Sequence, residues 1–241
     1  MPPTSPFLMS LPRQITLPTG RVPVRVRVSP RARRLALRID AQAEAIELVL
    51  PRRTSVPRAL SFIEENRAWL DKRINALPPR TVLAEGASVP ILDRLHRIRR
   101  VARTRDHKHV WLEDGEIKVA AEPEHIARKI IEFLKDFARK EFYRRAMRLA
   151  ASIGRKIGRI TVRDTTTRWG SCSAKGNLAF SWRLIMAPEA VLEYVVAHEV
   201  AHLAEMNHRP RFWKLVEKLA PGVDRQRLWL NRHRARLLRI G

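Results

Sequence analysis

Cysteine is almost missing from this chain: Cys172 stands alone among 241 residues. No intrachain disulfide can form, and the composition suits a reducing, cytoplasmic setting. No stretch approaches the roughly 18 consecutive apolar residues that a membrane-spanning helix needs, so no membrane partner is expected. MPPTSPFLMSLPRQ does not read as a secretory leader, because its apolar run is short and flanked by prolines. Acidic residues are scarce beside basic ones, 24 against 48, for a net charge of +24. Such an excess draws polyanions, nucleic acid among them, although an arginine-rich composition from a GC-rich genome produces the same number. Internal repeats and low-complexity segments are absent. Apolar residues are plentiful at 45%, enough for a globular chain with a real core in one large or two modest domains.

Pattern supplies the architecture. RVPVRVRV, RRLALRI and AIELVLP alternate apolar and polar residues at period two, as half-buried strands do. A helix is expected over about Val56 to Ala76, with Pro57 in its first turn and Leu60, Ile63, Trp69, Leu70 and Ile74 on one inward face. Short strands return from Thr81 to Val119, with a turn at Asp114-Gly115. A long helix runs from Glu122-Pro123 to about Ile153 and stops at Gly154 or Gly158. ITVRD, TTTRWGSCS and LAFSWRLI read as strands, the last two joined through Ala174–Asn177. The expected fold class is α+β, divided into a β-rich module over residues 1–121 and an α+β module over 122–241.

The chemistry concentrates in HEVAHLAEMNH, residues 198–208. Residues four apart share a helix face, so His198 and His202 can bind one zinc ion, and Glu199 beside them can take a proton from water that the cation activates. The flanking Val191, Val195, Ala197, Val200, Ala201 and Leu203 bury the helix, where unpaired polar groups are costly. A catalytic zinc site takes three protein ligands. His208, just past a helix end at which Asn207 could turn left-handed, is the first candidate, and Glu217 on the next helix is its rival. The spacing also fits metzincins, but that family has a glycine where Glu205 stands, and no methionine follows Met206 to form a Met-turn.

Around the metal, the hairpin with Trp169, Gly170 and Ser171 offers a strand on which a peptide can pair, with Gly170 permitting close backbone approach. Arg168 or Arg183 could stabilise an oxyanion, and Arg183 is grouped with the substrate-binding residues. Cys172 reads as a small buried thiol. His107 and His109 share a strand face without a completing group and read as surface residues. Residues 223–239 form a basic helix carrying Arg225, Arg227, Arg232, Arg234, Arg236 and Arg239 against Asp224, either a solvated face or a docking surface for nucleic acid.

HEVAHLAEMNHRPRFW, with TRWGSCSAKGNLAFSWRLIMAP upstream, resembles the YgjP-like metallopeptidase family, which is related to the SprT-like and WLM-type zinc peptidases. The resemblance is strong over about 155–235 and looser before. It implies a zincin-like fold, with an active-site helix against a small antiparallel sheet, His198, His202 and His208 on the zinc, and Glu199 as general base. The expected function is zinc-dependent hydrolysis of a protein or peptide. The alternatives are hydrolysis of a non-peptide bond such as a nucleotide phosphoanhydride, or a nucleic-acid-associated protein with a structural metal.

Overall fold

Valine and arginine alternate in GRVPVRVRV because one side of that strand meets a core and the other meets water: Val22 and Val24 are buried while Arg21 and Arg25 are exposed. In the computed structural model, which describes residues 10–103 and 109–241, this strand is β2 (Gly20–Val28). It joins β1 (Gln14–Leu17), β3 (Ala36–Asp40) and β4 (Ala45–Leu50) in a sheet of order β1-β2-β4-β3. Pairing is antiparallel at β1-β2 and β3-β4 and parallel at β2-β4. Two short helices come next, α1 (Val56–Glu65) and α2 (Arg67–Asn75). Ser55 caps α1 by accepting the Arg58 N–H at 3.4 Å. The single helix expected here breaks at Asn66, which leaves Ile63 and Leu70 buried but turns Leu60 and Trp69 outward. Ile46, Leu48, Leu50, Ala59, Ile63 and Leu70 form the centre of a core belonging to this unit.

The two compact units of the chain divide between Pro79 and Arg80, not at 121 as the sequence pattern suggested. The reason is packing. The strands between 88 and 119 bury Val89, Ile91, Ile98, Ile117 and Val119 in the same core as Ile126, Ile130 and Leu134 of the helix after them. Strands β5 (Ser88–Ile91), β6 (Arg94–Arg100), β7 (Val110–Glu113) and β8 (Glu116–Val119) form a sheet of order β5-β6-β8-β7. The β7-β8 turn has both Asp114 (φ 52) and Gly115 (φ 75) left-handed, as a two-residue hairpin demands. Helix α3 (Pro123–Ser152) then runs unbroken for 30 residues and ends before Gly154, whose φ is +62. Among the sites read from sequence, His107 and the residues before Ser10 lie outside the described residues.

The third sheet carries the motif region. Its order is β10 (Gly170–Cys172), β11 (Leu178–Ser181), β9 (Ile160–Arg163). β10 pairs antiparallel and β9 parallel with the central β11, so the sheet is mixed rather than antiparallel. The strand expected through LAFSWRLI stops at Ser181, and Trp182–Met186 forms a 3-10 turn whose five side chains are all buried. The remaining helices are α4 (Glu189–Ala201), α5 (Pro210–Leu219) and α6 (Val223–Leu238). Helix α3 holds α4 through one buried arginine: Arg145, 1% exposed, bonds Glu141 of its own helix, and Glu189 at 2.5 Å and Glu193 at 3.2 Å on α4. No helix among the described residues is long and apolar enough to cross a membrane.

Candidate functional site

Helix α4 packs against β10, and this contact builds the site. His198 and Glu199 lie in its last turn, and His202 is its C-cap. The backbone leaves the helix through turns, and Asn207 is not among the residues with positive φ. His208 nevertheless returns to the cluster, because Arg209 and Pro210 start α5 immediately after it. Nitrogen atoms of His198, His202 and His208 all lie within 4.8 Å of one another, and the Nε2 atoms of His198 and His208 are 3.1 Å apart.

One ring holds this arrangement from behind. The centroid of the fully buried Phe212 is 4.9 Å from that of His198, 4.5 Å from His202 and 4.7 Å from His208. Trp213 stands 5.7 Å from His198 and 5.6 Å from His208, and the Arg227 guanidinium lies 5.0 Å above its ring. The contact of Phe212 with all three imidazoles was not legible in the sequence, since nothing in the pattern sets the angle between α5 and α4.

The donor set fits a cation. Burial lowers the His198 pKa to about 4, with His202, His208 and Arg227 adding to the effect, so the imidazole is a neutral lone-pair donor at physiological pH. Burial lowers that of His202 as well. Nδ1 of His202 meets the Glu205 carbonyl at 3.1 Å, which leaves Nε2 for a metal, the usual support of a ligating histidine. Nδ1 of His198 is buried without a hydrogen-bond partner among the described residues, so Nε2 carries the ring's polar engagement. Glu217 lies outside this group, and its carboxylate accepts the N–H groups of Gly222 at 2.8 Å and Val223 at 3.1 Å, capping α6.

Glu199 is 6% exposed and lies against the β10 backbone. A Cβ added to Gly170 would stand 2.5 Å from its Oε1 and 2.6 Å from its Cγ. Gly170 is thus required for the glutamate side chain to pass, a different close approach from the substrate backbone that the sequence suggested. Desolvation raises the Glu199 pKa to about 7, and the positive charge of Arg168 opposes the rise. Cys172 is half-buried on the same strand, its thiol donating to the Ser173 carbonyl at 3.4 Å.

The remaining candidates separate. Trp169, Gly170 and Ser171 lie at or just before β10, an edge strand among the described residues. Trp169 is partly buried, with the Arg234 guanidinium 5.7 Å above its ring. Arg183 is a correction. It is 2% exposed, donates from Nε to Asp164 at 2.9 Å, and from Nη1 to the carbonyls of Leu237 at 3.2 Å and Ile240 at 2.5 Å. A buried charge needs such partners, and Arg183 ties the end of α6 to the sheet rather than binding substrate. The basic helix is likewise only partly a solvated face: Arg239 is buried and Arg234 donates to the Thr166 carbonyl.

No solved structure matches this chain. A family profile does, over residues 33–233, which takes in most of both units. That span includes the three-histidine cluster, and the chain belongs to the YgjP-like metallopeptidase domain family.

Proposed function

We propose that this protein is a zinc-dependent peptidase with a zincin-like site, in which His198, His202 and His208 hold the metal and Glu199 is the general base. The observation that carries this reading is the convergence of three imidazoles within 4.8 Å, next to a buried glutamate against an edge strand. A bound divalent cation supplies Lewis-acid polarisation of the scissile carbonyl and of the attacking water. The chain's own residues do the rest. β10 offers its free edge, so an extended peptide pairs with the backbone of Gly170 and Ser171 and passes in front of Glu199. Glu199 Oε accepts the proton of the attacking water and later delivers it to the leaving amine. Its pKa near 7 places it where both transfers are feasible at neutral pH. Arg168 keeps a fraction of it ionised.

Three ligands favour catalysis over a purely structural metal, which takes four, and no fourth histidine, cysteine or carboxylate joins the group among the described residues. The single cysteine suits action in the cytoplasm. The test is metal analysis together with hydrolysis of an unfolded protein by the zinc-loaded wild type and Glu199→Gln. We expect one zinc per chain in both and a fall of about 10²- to 10⁴-fold in kcat/KM for the variant. Equal activity of the two would end the proposed role of Glu199. Hydrolysis of nucleoside triphosphates with no cleavage of protein would favour the phosphoanhydride alternative.

A further inference from the structure

The outer face of the site sheet holds chemistry that the metal does not use. Strand pairing defines it: Ser171 on β10 is opposite Ala179 on β11, which is opposite Thr161 on β9. The alternate positions face the other way, since a Cβ at Gly170 would strike Glu199, and Leu178 and Phe180 are in the core. Ser171, Ala179 and Thr161 therefore form one row across the outer face. Two residues to either side of Thr161, on that same face, come Arg159 and Arg163. The Arg159 carbonyl accepts the Leu178 N–H at 2.8 Å, which keeps it in the ladder.

Because the row between the edge and these arginines is made of small side chains, a trough of about 540 Å³ crosses the sheet. Arg159, Arg163 and Arg168 line it, with hydroxyls from Thr161, Thr165 and Ser171, and no aspartate or glutamate is among its lining residues. Arg25, Arg27, Arg99 and Arg144 pair with carboxylates elsewhere. The nearby Asp164 is taken by Arg183, and Arg159 and Arg163 have no ion-pair partner among the described residues.

We propose that this trough is a specificity pocket for glutamate side chains of the substrate, a reading that rests on the peptidase assignment above. An extended peptide on β10 turns every second side chain to the outer face. That added strand would lie three strand spacings from β9, roughly 14 Å at about 4.8 Å each. A glutamate and an arginine leaning towards each other across the sheet can cover that span between them, and an aspartate, one methylene shorter, reaches less far. Arg159 and Arg163 are separated by four residues, about 13 Å along the strand, and outward substrate positions four residues apart have the same spacing. The favoured sequence thus has glutamates at two outward positions four apart.

The test uses full-length zinc-loaded Glu199→Gln, which holds peptide without turnover, and labelled peptides that differ only in Glu, Asp or Gln at those two positions. Anisotropy should show the Glu peptide binding about tenfold tighter than the Gln peptide, with Asp between and the difference shrinking as salt rises. Adding Arg159→Gln and Arg163→Gln should bring the ratio to about one, and Arg163→Glu should favour a lysine peptide instead. Arg139→Gln, on the exposed face of α3, should leave the ratio as it was. Equal binding of the Glu and Gln peptides by the parent protein overturns the proposal, whether or not wild type cleaves them. So does a result in which the arginine substitutions abolish binding of a single-stranded oligonucleotide and leave peptide selectivity intact. Selective binding without cleavage by wild type would uphold the pocket and count against the peptidase reading alone.

Discussion

Two sheets of this molecule share one plan. In β1-β2-β4-β3 and in β5-β6-β8-β7, the outer pairs are antiparallel, the central pair is parallel, and a helical segment comes after the fourth strand. No repeat is visible in the sequence, because the plan needs only the period-two pattern and turns, which many sequences supply. The helical segments themselves differ. After the first sheet, the segment breaks at Asn66 into α1 and α2, and the unit closes around its own core. After the second, α3 continues for 30 residues. Its far half stacks Phe142 on Phe180 at 4.7 Å and places Arg145 against α4. The same sheet plan is therefore self-contained in one unit and part of the catalytic scaffold in the other. The length of the helix after the sheet makes the difference.

The strongest way to break this comparison is to damage each core. Phe142→Ala should cost about 3–5 kcal/mol and lower zinc occupancy, while Leu48→Ala should cost about 2–5 kcal/mol in the first unit and leave zinc stoichiometry unchanged. Urea unfolding combined with metal analysis reads both, and loss of zinc in Leu48→Ala would show that the units are not separable. A sharper probe is local. Gly170→Ala must displace Glu199, so hydrolysis should fall by about a hundredfold or more with zinc retained. Wild-type kcat/KM in that variant would mean that the Glu199–β10 contact is dispensable.

The next effect is electrostatic and confined to the second unit. The folded-state pKa of Glu199, about 7, is above its ordinary value of 4.5, so the folded protein binds this proton more tightly than the unfolded chain. The group therefore costs nothing below about pH 4.5, and stability is lost as pH rises through 7. His198, lowered from 6.5 to about 4, works in the opposite sense, and stability is gained as pH rises through that window. Metal-free Glu199→Gln removes only the first contribution. It should be more stable than metal-free wild type by about 3 kcal/mol at pH 8, with the difference vanishing near pH 4.5. Denaturation of both proteins across that range measures it, and a constant difference would remove burial of Glu199 as the cause. The smallest effect belongs to the first unit. Ser55→Ala deletes the α1 cap, costs about 1 kcal/mol by thermal unfolding and should leave hydrolysis untouched.

Much of the site could be read from HEVAHLAEMNH, because helical spacing alone puts His198 and His202 on one face. The choice of His208 over its rival Glu217 rested on less, since helical spacing does not reach either residue. It depended on whether the Glu217 carboxylate was engaged elsewhere, and the backbone N–H groups of Gly222 and Val223 engage it. Arg183 was misplaced for a related reason: a basic residue near a motif looks available until its burial and its carbonyl partners are known. The domain boundary moved from 121 to 79 because strand periodicity tells where strands are, not which core they share.

The sequence by itself determined the local matters. It set the strands through alternation, the turn at Asp114-Gly115, the long helix and its stop at Gly154 or Gly158, and the helical spacing of His198 and His202 beside Glu199. These depend on contacts within a few residues, where backbone geometry sets the spacing. Only the tertiary structure decided that His208 returns to the pair, that Phe212 backs all three imidazoles, and that Gly170 makes room for Glu199. It also decided that Arg159 and Arg163 face a trough open to the edge strand. Each of these joins side chains on different elements, and their distances are set by how helices and sheet pack, which no periodicity encodes.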